Sequence, residues 1–146
     1  MRSISANLPA FIRNGRFPDG GQVSVLTTEE SHALDEETLN RFPAASSEGI
    51  DWDAAPFRSR GWWFENELGW PGELSDVLSP FLTGDGRTAV LWGIAELPTI
   101  VLRTTVAIEH AEDIMAAHPA FWLHPLGSDT LVECLVDGQV TVAEIP

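Results

Sequence analysis

Lysine and tyrosine are absent from this chain, and cysteine occurs once, as Cys134. Without lysine there is no P-loop of the GxxxxGKS or GxxxxGKT type, no lysine to hold a nucleotide's phosphates, and no Schiff-base nucleophile. Without tyrosine, phenolic acid–base chemistry is excluded. One cysteine builds neither an internal disulfide nor a cysteine-rich zinc site, and it suits a reducing compartment. No apolar run approaches the roughly 20 residues of a membrane-spanning helix. The opening Met1-Arg2-Ser3-Ile4-Ser5-Ala6-Asn7-Leu8-Pro9 has no continuous hydrophobic stretch after it, which argues against a secretory signal. Cytoplasmic residence is the simplest expectation. Catalytic motifs are missing as well: there is no GxSxG, no HExxH and no EF-hand loop. The Gly84-Asp85-Gly86 triplet lacks the third glycine and the strand–turn–helix setting of a dinucleotide site.

What is abundant is negative charge. All eight basic residues are arginines, set against 22 acids, for a formal net charge of −14. After Arg103 no arginine follows, while seven acids do: Glu109, Glu112, Asp113, Asp129, Glu133, Asp137 and Glu144. Such a field repels phosphate backbones, so direct nucleic-acid binding is not expected. It attracts a basic partner and speeds the encounter, and it also serves plain solubility.

At 146 residues, 44% of them hydrophobic, the chain predicts one domain over 1–146 with an irregular lead-in over 1–21. Gln22 to Leu26 reads as a first strand. Thr27 and Glu30 have capping-box spacing ahead of a helical stretch to about Phe42, with a break near Asp35. Phe57 to Phe64 is extended, and Glu73 to Leu82 is a short helix interrupted by Pro80. Thr88–Ile94 and Thr99–Ile108 are rich in β-branched and apolar residues and read as strands. His110–His118 is a helix and Phe121–His124 a strand. Leu131–Val136 and Gln139–Ile145 flank Asp137-Gly138, a strong hairpin signal. The expected fold is α+β: an antiparallel sheet of five to six strands, mainly in the C-terminal half, carrying a few short helices.

A two-residue turn at Asp137-Gly138 would pair Leu135 with Val140, Glu133 with Val142 and Leu131 with Glu144 on one face. Glu133 would stand in the middle of that apolar face. Either it is buried and needs a cation or several hydrogen bonds, Arg103 being a candidate partner, or it looks outward beside exposed leucines. Strand alternation places Cys134 between Val132 and Val136, as a small hydrophobe rather than a nucleophile.

The histidines His32, His110, His118 and His124 form no recognised metal spacing, although His110 and Asp113 share a helix face. Glu65 and Glu67 stand among tryptophans, as paired carboxylates do in glycosidases, but proximity is common among so many acids. No cofactor is implied. Trp52, Phe57, Trp62, Trp63, Phe64 and Trp70 crowd one stretch, which serves either as core or as a binding surface. Asp51-Trp52-Asp53 places an aromatic between two carboxylates, the makeup of an exposed interface anchor for a basic partner. Asp35-Glu36-Glu37, with Glu29 and Glu30 upstream, offers a second acidic surface, though acids in a first helical turn also suit the helix dipole.

In size, acidity, the Asp51-Trp52-Asp53 segment, the Gly61-Trp62-Trp63-Phe64 stretch and the strand-rich C-terminal half, the chain resembles in type the small acidic immunity proteins of bacterial polymorphic-toxin and contact-dependent inhibition systems. That resemblance implies a cytoplasmic, non-enzymatic inhibitor whose partner is a cognate toxin with a basic active-site surface. The partner-binding residues expected here are Asp51, Trp52, Asp53, Asp35, Glu36 and Glu37. The alternative is a small-molecule-binding module or small enzyme with its pocket in the tryptophan-rich segment 52–70.

Overall fold

Antiparallel pairing organises the chain. The computed structural model describes residues 23–43, 50–62, 78, 81–82, 86–92, 97–118, 120–135 and 139–146, the side chains of 61 and 62 excepted. In chain order these form β1 (Ser24–Val25), α1 (Thr28–Glu37), a 3-10 turn (Leu39–Arg41), β2 (Ser59–Trp62), β3 (Arg87–Leu91), β4 (Ile100–Arg103), α2 (Thr104–Glu109), α3 (Ala111–Ala117), β5 (Ala120–Pro125), β6 (Thr130–Leu135) and β7 (Gln139–Glu144). The strands make one seven-stranded sheet in the order β1-β4-β3-β5-β6-β7-β2, every neighbouring pair antiparallel. The fold is α+β, with one strand more than the sequence predicts. Among the described residues no helix is long and apolar enough to cross a membrane.

Both faces of the sheet are covered, and for that reason the central strands read as continuous apolar runs rather than alternating ones. One face packs Val90, Ile100, Leu102, Phe121, Leu123, Val132, Cys134, Val140 and Val142 against α2, α3 and the buried Leu78 and Leu82. Phe81 and Leu82 donate backbone hydrogen bonds to the Leu78 carbonyl; the other residues of the predicted 73–82 helix lie outside the described residues. The other face packs Ala89, Leu91, Val101, Ala120, Trp122, Leu131 and Ala143 beneath Phe42 and Ile50, with Leu34, Leu39 and Trp52 partly buried against them.

The capping box forms as its spacing predicts. Thr27 Oγ1 accepts from the Glu30 amide at 3.1 Å, and Glu30 Oε1 accepts from the Thr27 amide at 2.8 Å. The helix ends at Glu37 rather than near Asp35. There the buried Thr38 turns its hydroxyl back to donate to the Leu34 carbonyl, 2.7 Å away, and the chain tightens into the 3-10 turn.

Thr99–Ile108 is not one strand: β4 stops at Arg103 and α2 follows directly. Val106, Ala107, Ala111 and Ile114 are all buried, and Ala107, Ala111 and Ile114 have the four-then-three spacing of a helix face. Packing of that face overrides the strand preference of the β-branched residues. The β6–β7 hairpin, in turn, is offset by one residue from the two-residue-turn register. Cys134 pairs with Val140, Glu133 with Thr141 and Leu131 with Ala143. A one-residue slip moves a whole strand's side chains to the opposite face. This register sends Val140 and Val142 into the layer beneath α2 and α3, and leaves the polar Thr141 beside Glu133. Asp137 and Gly138 themselves lie outside the described residues.

Candidate functional site

Glu133 is 1% exposed, in the middle of β6. Its side chain lies on the face beneath Ile50 and Trp52, and three donors converge on it. Oε2 accepts from the Ile50 amide at 2.8 Å and from the Trp122 indole Nε1 at 3.1 Å; Oε1 accepts from the Trp52 indole Nε1 at 2.9 Å. An ionised carboxylate only accepts, while an indole N–H and a backbone N–H only donate, so the set is complementary. Of the two readings left open by the sequence, the buried one describes the molecule, and hydrogen bonds take the place of a cation. Arg103 is not the partner. It is exposed at the end of β4, three strands away in the sheet, or about 14 Å at ordinary strand spacing.

The donors reach Glu133 because the segment after residue 50 lies flat on the sheet. Asp51 donates its amide to the Pro43 carbonyl at 2.8 Å, and Ala54 donates to the Asp51 carbonyl at 3.1 Å. Asp51 Oδ1 accepts from the Asp53 amide at 3.1 Å, an Asx-type turn that rotates Trp52 inward. The indole of Trp52 meets Phe42 edge-on at 5.5 Å and Phe57 edge-on at 5.9 Å. Phe57, 42% exposed, carries the Arg60 guanidinium 4.4 Å above its ring. Arg60 Nε donates to Thr141 Oγ1 at 3.2 Å, and Thr141 is the cross-strand neighbour of Glu133. Trp52, Phe57, Arg60, Thr141 and Glu133 thus close a ring of contacts on one face of the sheet. Beside it, Arg58 and Glu144 form an exposed ion pair.

Trp52 is therefore half-buried with its N–H committed, not the exposed anchor its flanking charges suggest. Among the described residues the exposed aromatic of this region is Phe57, which opens the run predicted to be extended. Its position follows from the path of the 50–57 segment, and no local spacing signals it. Asp53 is exposed and Asp51 half-buried. On α1, Glu29, Glu30, Glu36 and Glu37 are exposed and Asp35 is partly buried. Burial raises the Asp35 carboxyl above the ordinary carboxylate range, with the His32 charge pulling partly the other way. Leu34 and Leu39 pack α1 and its 3-10 turn onto the same side of the sheet as Ile50 and Trp52. The six predicted residues, Asp35, Glu36, Glu37, Asp51, Trp52 and Asp53, so come to one side of the sheet from two stretches of chain. Trp63, Phe64, Glu65, Glu67 and Trp70 lie outside the described residues.

The remaining reactive groups are occupied locally. His110 Nδ1 lies 3.0 Å from Asp113 Oδ2 on the other helical layer, His118 Nδ1 contacts the backbone of Ala120, and His124 Nδ1 lies 2.9 Å from the Thr130 carbonyl oxygen. No group of three metal-ligating side chains occurs among the described residues. Cys134 is fully buried; desolvation, and then the neighbouring Glu133 charge, push its thiol far above the usual range. A thiolate nucleophile is excluded there.

Glu133→Gln turns an NH2 group toward N–H donors and strands at least one of them, so urea unfolding should show a loss of about 2–3 kcal/mol. Cys134 should resist a thiol reagent such as DTNB in native buffer and react stoichiometrically in denaturant; native reactivity in the wild type would contradict its burial. The raised carboxyl of Asp35 means that folding favours its protonated form. Wild-type stability should therefore fall as pH rises from the ordinary carboxylate value of 3.8 through the raised one, and Asp35→Asn should remove that fall. Thermal melts across pH 3.5–7 check the sign: the variant should melt no lower than the wild type at neutral pH.

No family model matches this sequence, and no curated protein matches it either.

Proposed function

We propose that this chain is a cytoplasmic immunity-type inhibitor. It binds a cognate bacterial toxin domain through the face made by α1 and the 50–57 segment, and it acts by covering an active site rather than by transforming a substrate. The observation that carries the reading is the convergence of two sequence-distant acidic stretches on one side of the sheet, joined through Phe42, Pro43 and Trp52. Helix α1 has no fully buried residue, so most of its surface faces water. Its Asp35 keeps a carboxylate where burial disfavours the charge, the kind of stability cost that surfaces selected for binding carry.

In this mechanism the net charge of −14 and the acidic face steer the protein onto a cationic groove. Short-range contacts at Phe57 and the outer edge of Trp52 then slow release. Glu133 acts indirectly, by holding the 50–57 segment in the presented conformation.

The test begins with the gene's neighbourhood: if the gene directly follows one encoding a large secreted protein, that protein's C-terminal domain is co-expressed with this chain, and if no such gene precedes it the proposal loses its expected partner. The domain alone should arrest growth, while the pair should grow and co-purify. A domain that neither binds the chain nor is silenced by it overturns the proposal. In stopped-flow binding at low salt, the combined Asp35→Asn, Glu36→Gln and Glu37→Gln variant should associate about tenfold more slowly with a flatter salt dependence. Phe57→Ala should instead hasten dissociation. Trp52→Ala is the poorer probe, since it also strips a hydrogen bond from Glu133.

A further inference from the structure

Arg87 opens β3 and Arg103 closes β4, and the antiparallel register sets them directly opposite one another. Both are exposed. Directly opposed residues on paired antiparallel strands have Cα atoms about 4.5–5.5 Å apart, and like charges in that position cost stability. A chain with 22 acids and eight arginines has ample means to place a carboxylate across from either one. Yet where Arg58 is paired with Glu144, neither Arg87 nor Arg103 meets an acid among the described residues.

Strand alternation puts Arg87 on the face of Ala89 and Leu91, and Arg103 on the same face as Val101. Ser24 of β1 is the cross-strand neighbour of Val101. Arg87 Nη1 donates to Ser24 Oγ at 3.3 Å, so its side chain extends over β4 toward β1, alongside Arg103. Two guanidiniums and a hydroxyl therefore share one small area of the sheet's end. Leu126, 42% exposed, adjoins them through its amide's 2.9 Å hydrogen bond to the Arg87 carbonyl.

We infer that Arg87, Arg103 and Ser24 form an oxyanion site that takes a phosphate or carboxylate group between the two guanidiniums. Planar guanidinium forks match the paired oxygens of such groups, and a bound anion replaces the like-charge opposition with charge-assisted hydrogen bonds. The chain's overall negative charge does not forbid this, because at physiological salt charges beyond about 8 Å are largely screened. The anion arrives either on a phosphorylated small molecule or as a carboxylate side chain of a bound protein. Arg87 and Arg103 lie at the end of the same sheet face that α1 and the 50–57 segment cover, but the inference does not rest on the binding role proposed for the acids there.

Thermal unfolding in sodium phosphate and in sodium succinate, each against sodium chloride at matched pH and ionic strength, tests the site. The wild-type Tm should rise saturably with at least one of the two anions. A response to phosphate alone supports a phosphorylated ligand, a response to succinate alone supports a partner's carboxylate, and both together support the shared chemistry. Arg103→Gln should raise the half-saturating concentration about tenfold or more. Arg87→Gln with Arg103→Gln should abolish the response, while its Tm in chloride stays at or above the wild-type value because the opposed charges are gone. Amide NMR shifts on adding phosphate or succinate to the unaltered protein give a readout that needs no variant, and they should centre on residues 86–88 and 102–104. No saturable rise with either anion overturns the inference, as does an undiminished rise in the double variant or shifts centred elsewhere.

Discussion

A buried carboxylate with no cation beside it is the constraint around which one half of this molecule is built. Taking Glu133 out of water costs several kcal/mol in an apolar setting unless its oxygens are satisfied. Here satisfaction comes from one residue on the adjacent strand and two on a segment more than 80 positions earlier in the chain. The 50–57 segment is thereby fixed on the sheet by polar bonds at its start, as well as by the apolar contacts of Ile50 and Trp52. Its turn, its aromatic edges and the place of Phe57 all depend on that attachment.

The two faces of the sheet consequently differ in kind. Beneath α2 and α3 the packing is apolar, with Cys134 serving as a small hydrophobe and Thr88 and Thr104 pairing their hydroxyls at 2.9 Å near its margin. On the other face a polar centre sits within the core, and the elements over it are short, acidic and mostly exposed. Packing density and dryness favour stability, whereas polar centres fix one particular arrangement at some cost in stability. The face with the costlier arrangement is also the one that presents the acids of α1 and the turn at Asp51 and Asp53. Binding surfaces are expected where a fold tolerates such costs.

Much of the fold was legible in the sequence where the signal is local. The Thr27–Glu30 capping box, the start of β3, the edges of β5, β6 and β7 to within a residue, and the placement of Cys134 all follow from spacing and alternation. Signals that depend on distant partners were not legible. The segment Thr104–Ile108 is rich in β-branched residues, and only the burial of Ala107, Ala111 and Ile114 against the sheet makes it helical. The hairpin register turns on which face needs Val140 and Val142, a question the Asp137-Gly138 pair alone cannot answer. For the site, the unusual position of Glu133 in an apolar strand was visible. Its partners were not, because a buried carboxylate calls first for a cation such as Arg103, while the donors are neutral and come from Trp52, Trp122 and a backbone amide. The same segment that looked like an exposed anchor supplies one of those donors, so charge pattern alone misjudged the burial of Trp52.

The donors and the acceptor at Glu133 must also change as a set. An apolar residue at 133 would remove the desolvation cost, but it would leave two indole N–H groups and an amide without their acceptor. Replacing either tryptophan would remove a donor while the carboxylate stayed buried. Single substitutions are therefore unfavourable in every direction, although an all-apolar centre of similar volume would cost little. Thr141 completes the arrangement from the far side: its hydroxyl holds Arg60, whose guanidinium lies over Phe57 rather than against Glu133. Three donors already hold the carboxylate, which has about four lone-pair sites, so an arginine there would have competed with the segment's own N–H groups for their acceptor. With the guanidinium on Phe57 instead, the attachment of the 50–57 segment to the sheet is left to its own donors.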